Sequence, residues 1–137
     1  MNVLVTGGAG YIGSHTVVEL LNAGHQAIIV DDLSNAKADV IDRIETITGK
    51  RPAFYELDCK DKDGLRQVFS AHPVDAVIHF AAFKAVGESV RKPLEYYFNN
   101  LTSTHNCIKR YYPTVNLCTR HLVTYCRVNS IGKINYG

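Results

Sequence analysis

The 137 residues are 46% hydrophobic and 20% charged, with a formal net charge of +2 and four cysteines, the make-up of one ordinary globular domain. No apolar run reaches the ~18 residues that span a bilayer, and the N-terminus lacks the basic and long apolar stretches of a secretory signal. The chain therefore reads as cytoplasmic, without a membrane partner, and its cysteines as free thiols rather than a disulfide framework. In chain order, NVLVT (2–6) is a near-continuous β-branched and apolar run, the pattern of a strand buried on both faces of a parallel sheet. YIGSHTVVELLNAGH then places Ile12, Val17, Leu20 and Leu21 near one helical face, with Gly24 positioned to stop the helix. QAIIVDD is the next strand. ADVIDRIETITGK predicts a helix with Ile41, Ile44 and either Ile47 or Thr48 inward, closed by Gly49. PAFYELD, KDGLRQVFSAH and VDAVIHFAA continue as strand, helix and strand, and a longer helix is expected from Pro93.

Strands alternating with helices at this spacing imply βαβ units. The fold class is α/β: a Rossmann-type doubly wound parallel sheet, truncated after about four strands. In the strand order usual for that fold, stopping there leaves AVIHFAA as an open apolar edge. Unless the tail covers it, that edge predicts aggregation.

Four glycines occupy seven positions between the first strand and the first helix: Gly7, Gly8, Gly10 and Gly13. Gly costs about 0.5–1 kcal/mol relative to Ala inside regular elements, so the bare backbone must serve something. In a Gly8-x-Gly10-x-x-Gly13 loop, Gly8 permits the tight turn and Gly10 lets a pyrophosphate approach. Gly13 lets the helix pack on the strand, and the N–H groups near Tyr11 and Ile12 face the phosphates. Asp31 ends the second strand 18 residues after Gly13, where a carboxylate accepts both ribose hydroxyl protons of an adenosine. A 2′-phosphate there would meet a like charge, about 4 kcal/mol at 4 Å and an effective dielectric near 20, and Asp32 adds to it. The expected cofactor is NAD rather than NADP.

Taken together, TGGAGYIGSHTVVELLNAGH, DDLSNA, ELDCKD and VIHFAAFKAVGESVRKPLEYYFNN resemble the N-terminal part of the UDP-glucose 4-epimerase family, an extended branch of the short-chain dehydrogenase/reductases. The resemblance covers residues 1 to about 104, and FAAFKAVGESVRKPLEYY is its most specific part, setting it apart from dehydratase and reductase relatives. It implies an NAD-dependent interconversion of UDP-glucose and UDP-galactose, a nucleotide-sugar partner and, for the full-length family, a homodimer. It also implies roles by position. Tyr11 and Ile12 would contact the pyrophosphate. Asp31, Asp32, Leu33, Ser34, Asn35 and Ala36 would wrap the adenosine ribose and its edge. Asp58 with Cys59 would meet the adenine amino group. Phe80, Ala81, Ala82, Phe83 and Lys84 would line the cofactor, with Asn99 entering from the following helix. Lys84, Ala85 and Val86 would border the nucleotide sugar. The family often has Asn where this chain has Asp32, a departure that touches cofactor selectivity and not the fold.

The same residues have plainer readings. Asp58 can cap the loop that follows it, and Lys84 can be a solvated lysine. His79 in an apolar strand reads as a core histidine, Cys59 as a plain thiol, and Tyr96 and Tyr97 as packing residues.

The resemblance further implies a Tyr-x-x-x-Lys base, whose lysine lowers a tyrosine pKa from its usual value near 10. None of the eight tyrosines has Lys four positions on, so no catalytic residue is assigned, and a non-catalytic NAD-binding module is the rival reading. Composition also changes along the chain. Residues 1–104 carry ten Lys/Arg and thirteen Asp/Glu, a net of −3, whereas 105–137 carry five Lys/Arg and no acid, a net of +5. The expected division is an NAD-binding part over 1–104 and a divergent basic tail over 105–137, foreign in origin, with the substrate domain absent. Cys118, His121 and Cys126, with His105 and Cys107, include no C-x-x-C pair, so no metal site is assigned. Five charges are too few to suggest nucleic acid.

Overall fold

The computed structural model describes residues 1–114 and 122–124. The β-branched runs form strands that all lie parallel to their neighbours, in the order β3-β2-β1-β4-β5. β1 (Asn2–Thr6) is central, between β2 (Gln26–Asp31) and β4 (Ala76–His79). β3 (Ala53–Glu56) and β5 (Leu122–Thr124) are the edges.

Alternation along each strand divides the core in two. Leu4, Ile28, Val30 and Val77 point to one face and pack with Leu65, Val68, Phe69 and Cys107, from α3 (Lys62–Ala71) and α5 (Pro93–Thr114). Val3, Val5, Ala27 and Ile29 point to the other and pack with Val17, Leu21, Ile41 and Ile44, from α1 (Tyr11–Asn22) and α2 (Asp39–Thr48). Helices cover both faces, which is why the strands read as continuous apolar runs. Asp61 starts α3 as its N-cap, its carboxylate accepting the N–H groups of Asp63 at 3.0 Å and Gly64 at 3.1 Å.

The structure corrects or completes the sequence reading in several places. Ile12 does not join the inward face of α1 but is 51% exposed, because it lies in the first turn, beyond the end of the sheet. In α2 the two alternatives for the third inward position resolve to Thr48, which is half-buried while Ile47 is exposed. A short helix, α4 (Val86–Arg91), precedes α5, and β4 stops at His79, so residues 80–85 form a loop.

The edge is expected to stay open unless the tail covers it. β5 pairs with β4, setting Leu122, Val123 and Thr124 opposite Val77, Ile78 and His79, so the expected open edge is covered there. The reason is geometric. α5 runs 22 residues without a break at the compositional boundary, carrying the chain far enough to re-enter the sheet in parallel. No described helix is long and apolar enough to cross a membrane.

Candidate nucleotide-binding site

The chain leaves β1 through Gly7, whose φ of +67° is the left-handed conformation that side chains avoid. Its N–H donates to the Val30 carbonyl at 2.8 Å, and its carbonyl accepts from Gly10 at 3.2 Å. The tight turn therefore belongs to Gly7 and not to Gly8, which the sequence reading had assigned to it. Gly8 is needed for space: a Cβ there would lie 2.9 Å from Ile29 Cγ2 and 3.0 Å from the Val5 carbonyl. Gly13 is tighter still, since a Cβ would lie 2.2 Å from the Gly7 oxygen. At Gly10 the nearest neighbour of an added Cβ would be that same oxygen, at 3.3 Å, so the remaining space stays open for a ligand. Gly10 is also the N-cap of α1, which has no side-chain cap and no acidic residue in its first turn among the described residues. Its first N–H groups are thus free to meet an anion.

Asp31, at the end of β2, is 8% exposed. One carboxylate oxygen accepts the Ala9 N–H at 3.0 Å and the other the Leu33 N–H at 3.0 Å. Each oxygen keeps a second lone pair for an incoming hydroxyl. Leu33 carries a φ of +57°, held by that bond to Asp31. Asp32 folds its own loop, accepting the Ser34 N–H at 3.0 Å and hydroxyl at 2.6 Å.

These loops enclose a cavity of about 180 Å³ at the C-terminal ends of the strands, where ligands of open α/β sheets bind. Gly7 and Gly10 form one wall, and Asp31, Asp32, Ser34, Asn35 and Ala36 the next. Asp58 and Cys59 follow β3, and Phe80, Ala81, Ala82, Phe83 and Lys84 follow β4. Asn99 arrives from α5. The volume is below the ~300 Å³ of a small drug site, room for the nucleoside end of a dinucleotide with the rest in the open groove.

Five cofactor-side candidates do not line it. Gly8 and Gly13 act through packing, Leu33 through the Asp31 turn, and Tyr11 and Ile12 turn their side chains to solvent, 82% and 51% exposed. Ala85 and Val86 lie on the exposed side beyond Lys84.

Two lining residues, Leu57 and Ser103, were not anticipated from sequence. Ser103 follows Asn99 by one helical turn, and that spacing could have found it. Asn100 also escaped notice. Its side chain clips the Phe83 backbone, accepting the N–H at 2.8 Å and donating to the carbonyl at 3.1 Å. Asp58 does cap its loop, accepting the Lys60 N–H at 2.8 Å, and it faces the cavity as well.

His79 is a core residue, 2% exposed, with Nδ1 at 2.6 Å from Thr6 Oγ1. Cys59 is buried, and a hydrogen bond to Cys107, then burial, push its thiol well above the usual range. Tyr96 packs on Phe83 at 5.3 Å between ring centres and donates to Glu88 at 2.7 Å. Tyr97 instead is 41% exposed, because α5 buries the face that carries Tyr96, Asn100, Ser103 and Cys107. Among the described residues no group of three potential metal ligands occurs. Cys118, His121 and Cys126 lie outside them.

Comparison with known proteins agrees with this geometry. Residues 4–118 match the family described as GDP-mannose 4,6 dehydratase. The chain is 61% identical over 104 residues to UDP-glucose 4-epimerase of Erwinia amylovora, covering 76% of this chain and 31% of that protein. The Bacillus subtilis UDP-glucose 4-epimerase is 57% identical over the same shares of the two chains. The chain thus spans about a third of the length of these relatives. Among solved structures, UDP-glucose 4-epimerase from Bifidobacterium longum, in complex with NAD+ and UDP, superposes with a TM-score of 0.82 at 48% identity. That match covers 83% of this chain and 34% of the other.

Proposed function

Since the chain belongs to the GDP-mannose 4,6 dehydratase family, we propose that it binds NAD in this cavity as the cofactor part of a cytoplasmic enzyme of the UDP-glucose 4-epimerase type. The observation that carries the reading is Asp31, a nearly buried carboxylate aimed into the cavity beside a glycine turn that leaves room for a pyrophosphate. In such an enzyme NAD supplies a reversible hydride acceptor for the sugar carbon. This chain's residues bind and orient it. Asp31 accepts the ribose hydroxyls, the first turn of α1 holds the pyrophosphate, and Asp58 with Cys59 meets the adenine. The loop from Phe80 to Lys84 lies along the cofactor, and Lys84, Ala85 and Val86 border the nucleotide sugar. Residues 1–104 carry this part.

Two further expectations rest on the same reading. UDP-glucose and UDP-galactose are the substrates of the complete catalytic site, and a second copy of the chain is the protein partner. The exposed Leu94, Tyr97, Phe98 and Leu101 on α5 support the latter, since they follow one another at helical spacing on the face turned from the core. The absence of Tyr-x-x-x-Lys from the 137 residues favours the second reading, an NAD-binding module without turnover by this chain alone.

A thermal melt tests the cofactor reading. NAD at 100 times its dissociation constant adds about 2.7 kcal/mol, a shift of several degrees in a domain this size. NADP is expected to shift it less, and Asp31→Ala to abolish the response. An unchanged midpoint with NAD sinks the proposal. Conversion of UDP-galactose separates the enzyme from the module, and none is expected from this chain by itself.

A further inference from the structure

Three segments far apart in sequence meet beside the cavity, and one side chain joins them. Lys60 Nζ lies 3.0 Å from Asp58 Oδ2 and donates to Asn99 Oδ1 at 2.8 Å, 5.9 Å from the centre of the Phe83 ring. Its backbone takes part too: the N–H donates to Asp58 Oδ1 at 2.8 Å, and the carbonyl accepts from Asn106 Nδ2 at 3.0 Å. Asn99 in turn donates to Asn100 at 3.1 Å, and Asn100 holds the Phe83 backbone. The β3–α3 loop, the loop after β4 and helix α5 are therefore one hydrogen-bonded unit, with the lysine at its junction.

Charge explains why a cation sits there. Asp58 is a carboxylate, Asn99 offers an amide oxygen and Phe83 a ring face, three electron-rich groups that repel one another without a positive centre. The Lys60 side chain is 29% exposed and that of Asp58 42%, so the pair is partly withdrawn from water. Lys60 holds both the amide and the carboxylate, and unlike them it does not line the cavity.

We propose that Lys60 is a positioning residue of the nucleotide site: it fixes Asp58 and Asn99 in the orientation that receives the adenine end of the dinucleotide. Lys60 does not touch the ligand. It sets the direction of the Asp58 lone pairs, which accept from the adenine 6-amino group, and so acts on selectivity for the base. This rests on the proposed NAD site and adds to it a residue that neither the glycine loop nor the cavity lining reveals.

The test is equilibrium binding of NAD and of nicotinamide hypoxanthine dinucleotide, in which a carbonyl replaces the 6-amino group. Wild type, Lys60→Met and Lys60→Arg are compared. Lys60→Met is expected to weaken NAD about two- to fivefold, the upper range of a partly exposed ion pair, and to change the hypoxanthine analogue less than about 1.5-fold. Lys60→Arg restores NAD binding. If Lys60→Met melts below wild type without ligand, Lys60→Gln, which keeps a donor for Asn99, carries the same comparison. Equal weakening of both dinucleotides, or no weakening of NAD, overturns the role of Lys60 while leaving the site intact. A wild-type chain that binds neither dinucleotide overturns the site and this role together.

Discussion

The two walls of the cavity are built by different physics. The glycine wall, from β1 to the start of α1, packs against main chain at Gly7 and Gly13 and against Val5 and Ile29 at Gly8, with clearances too small for one more methyl. The α5 wall, where Asn99, Asn100 and Lys60 meet Phe83 and Asp58, is held by polar side chains, and the bonds of Lys60 to Asn99 and of Asn100 to Phe83 join segments far apart in sequence. A wall of the first kind fails sharply when one methyl is added. A wall of the second kind loosens by degrees as bonds are removed.

The largest effect expected from that contrast is at Gly13. Gly13→Ala puts a Cβ 2.2 Å from the Gly7 oxygen and 2.8 Å from Gly8 Cα, and backbone cannot yield as a flexible side chain does. We expect a loss of about 3 kcal/mol or more, a fall of roughly 10 °C in the melting midpoint, with NAD binding abolished. Gly10→Ala sharpens the comparison, because its Cβ would meet only the Gly7 oxygen at 3.3 Å. Stability should stay within about 1 kcal/mol of wild type, while NAD affinity falls at least about tenfold, since the methyl enters the ligand's path. Equal effects of the two substitutions would erase the distinction between packing and binding glycines.

On the other wall, Asn100→Leu leaves the Phe83 N–H and carbonyl without partners at a position that is 9% exposed. Chemical denaturation should show a loss of about 2 kcal/mol, smaller than at Gly13, with NAD still bound. Asp31 belongs to both walls in character. Asp31→Ala removes the acceptors of both Ala9 and Leu33 as well as the proposed ribose contact, so Asp31→Asn, which keeps one of the two acceptor oxygens, is the cleaner probe. It should weaken NAD about tenfold and narrow its margin over NADP, read by titration with each dinucleotide.

The smallest effect is electrostatic and lies at the α4–α5 corner. Glu88 sits below its ordinary value of 4.5, through the Tyr96 hydroxyl first and then Lys92. A carboxylate with a lowered pKa adds stability above its unfolded value and loses it as pH falls through the folded one. The Glu88 contribution is therefore present at neutral pH and disappears in acid, below 4.5. Glu88→Gln should lower the neutral midpoint slightly and leave stability in acid near wild type, which flattens the acid limb of the curve.

Much of this architecture was legible in the residues because it depends on local pattern. The β-branched runs, the helical spacing of Val17 with Leu21 and of Ile41 with Ile44, and the glycines followed by Asp31 all declare themselves within a few positions. Lys60, Asn100 and Ser103 did not. Each is an ordinary polar residue whose significance comes from what lies across a gap of 17 to 39 residues. Asp58 shows the same limit, since capping its loop and facing the cavity leave an identical trace in sequence. The β4 edge shows it again, for whether it stays open depends on where a 22-residue helix delivers the chain.

The sequence by itself determined the parallel α/β alternation, the glycine-rich turn between β1 and α1, and the carboxylate at the end of β2, because sterics and periodicity act between near neighbours. Only the tertiary structure decided which glycine makes the turn and which makes the space, which polar residues close the cavity, and what covers β4. Those depend on distances between segments that approach each other only after the sheet has formed, and a linear order of residues does not contain them.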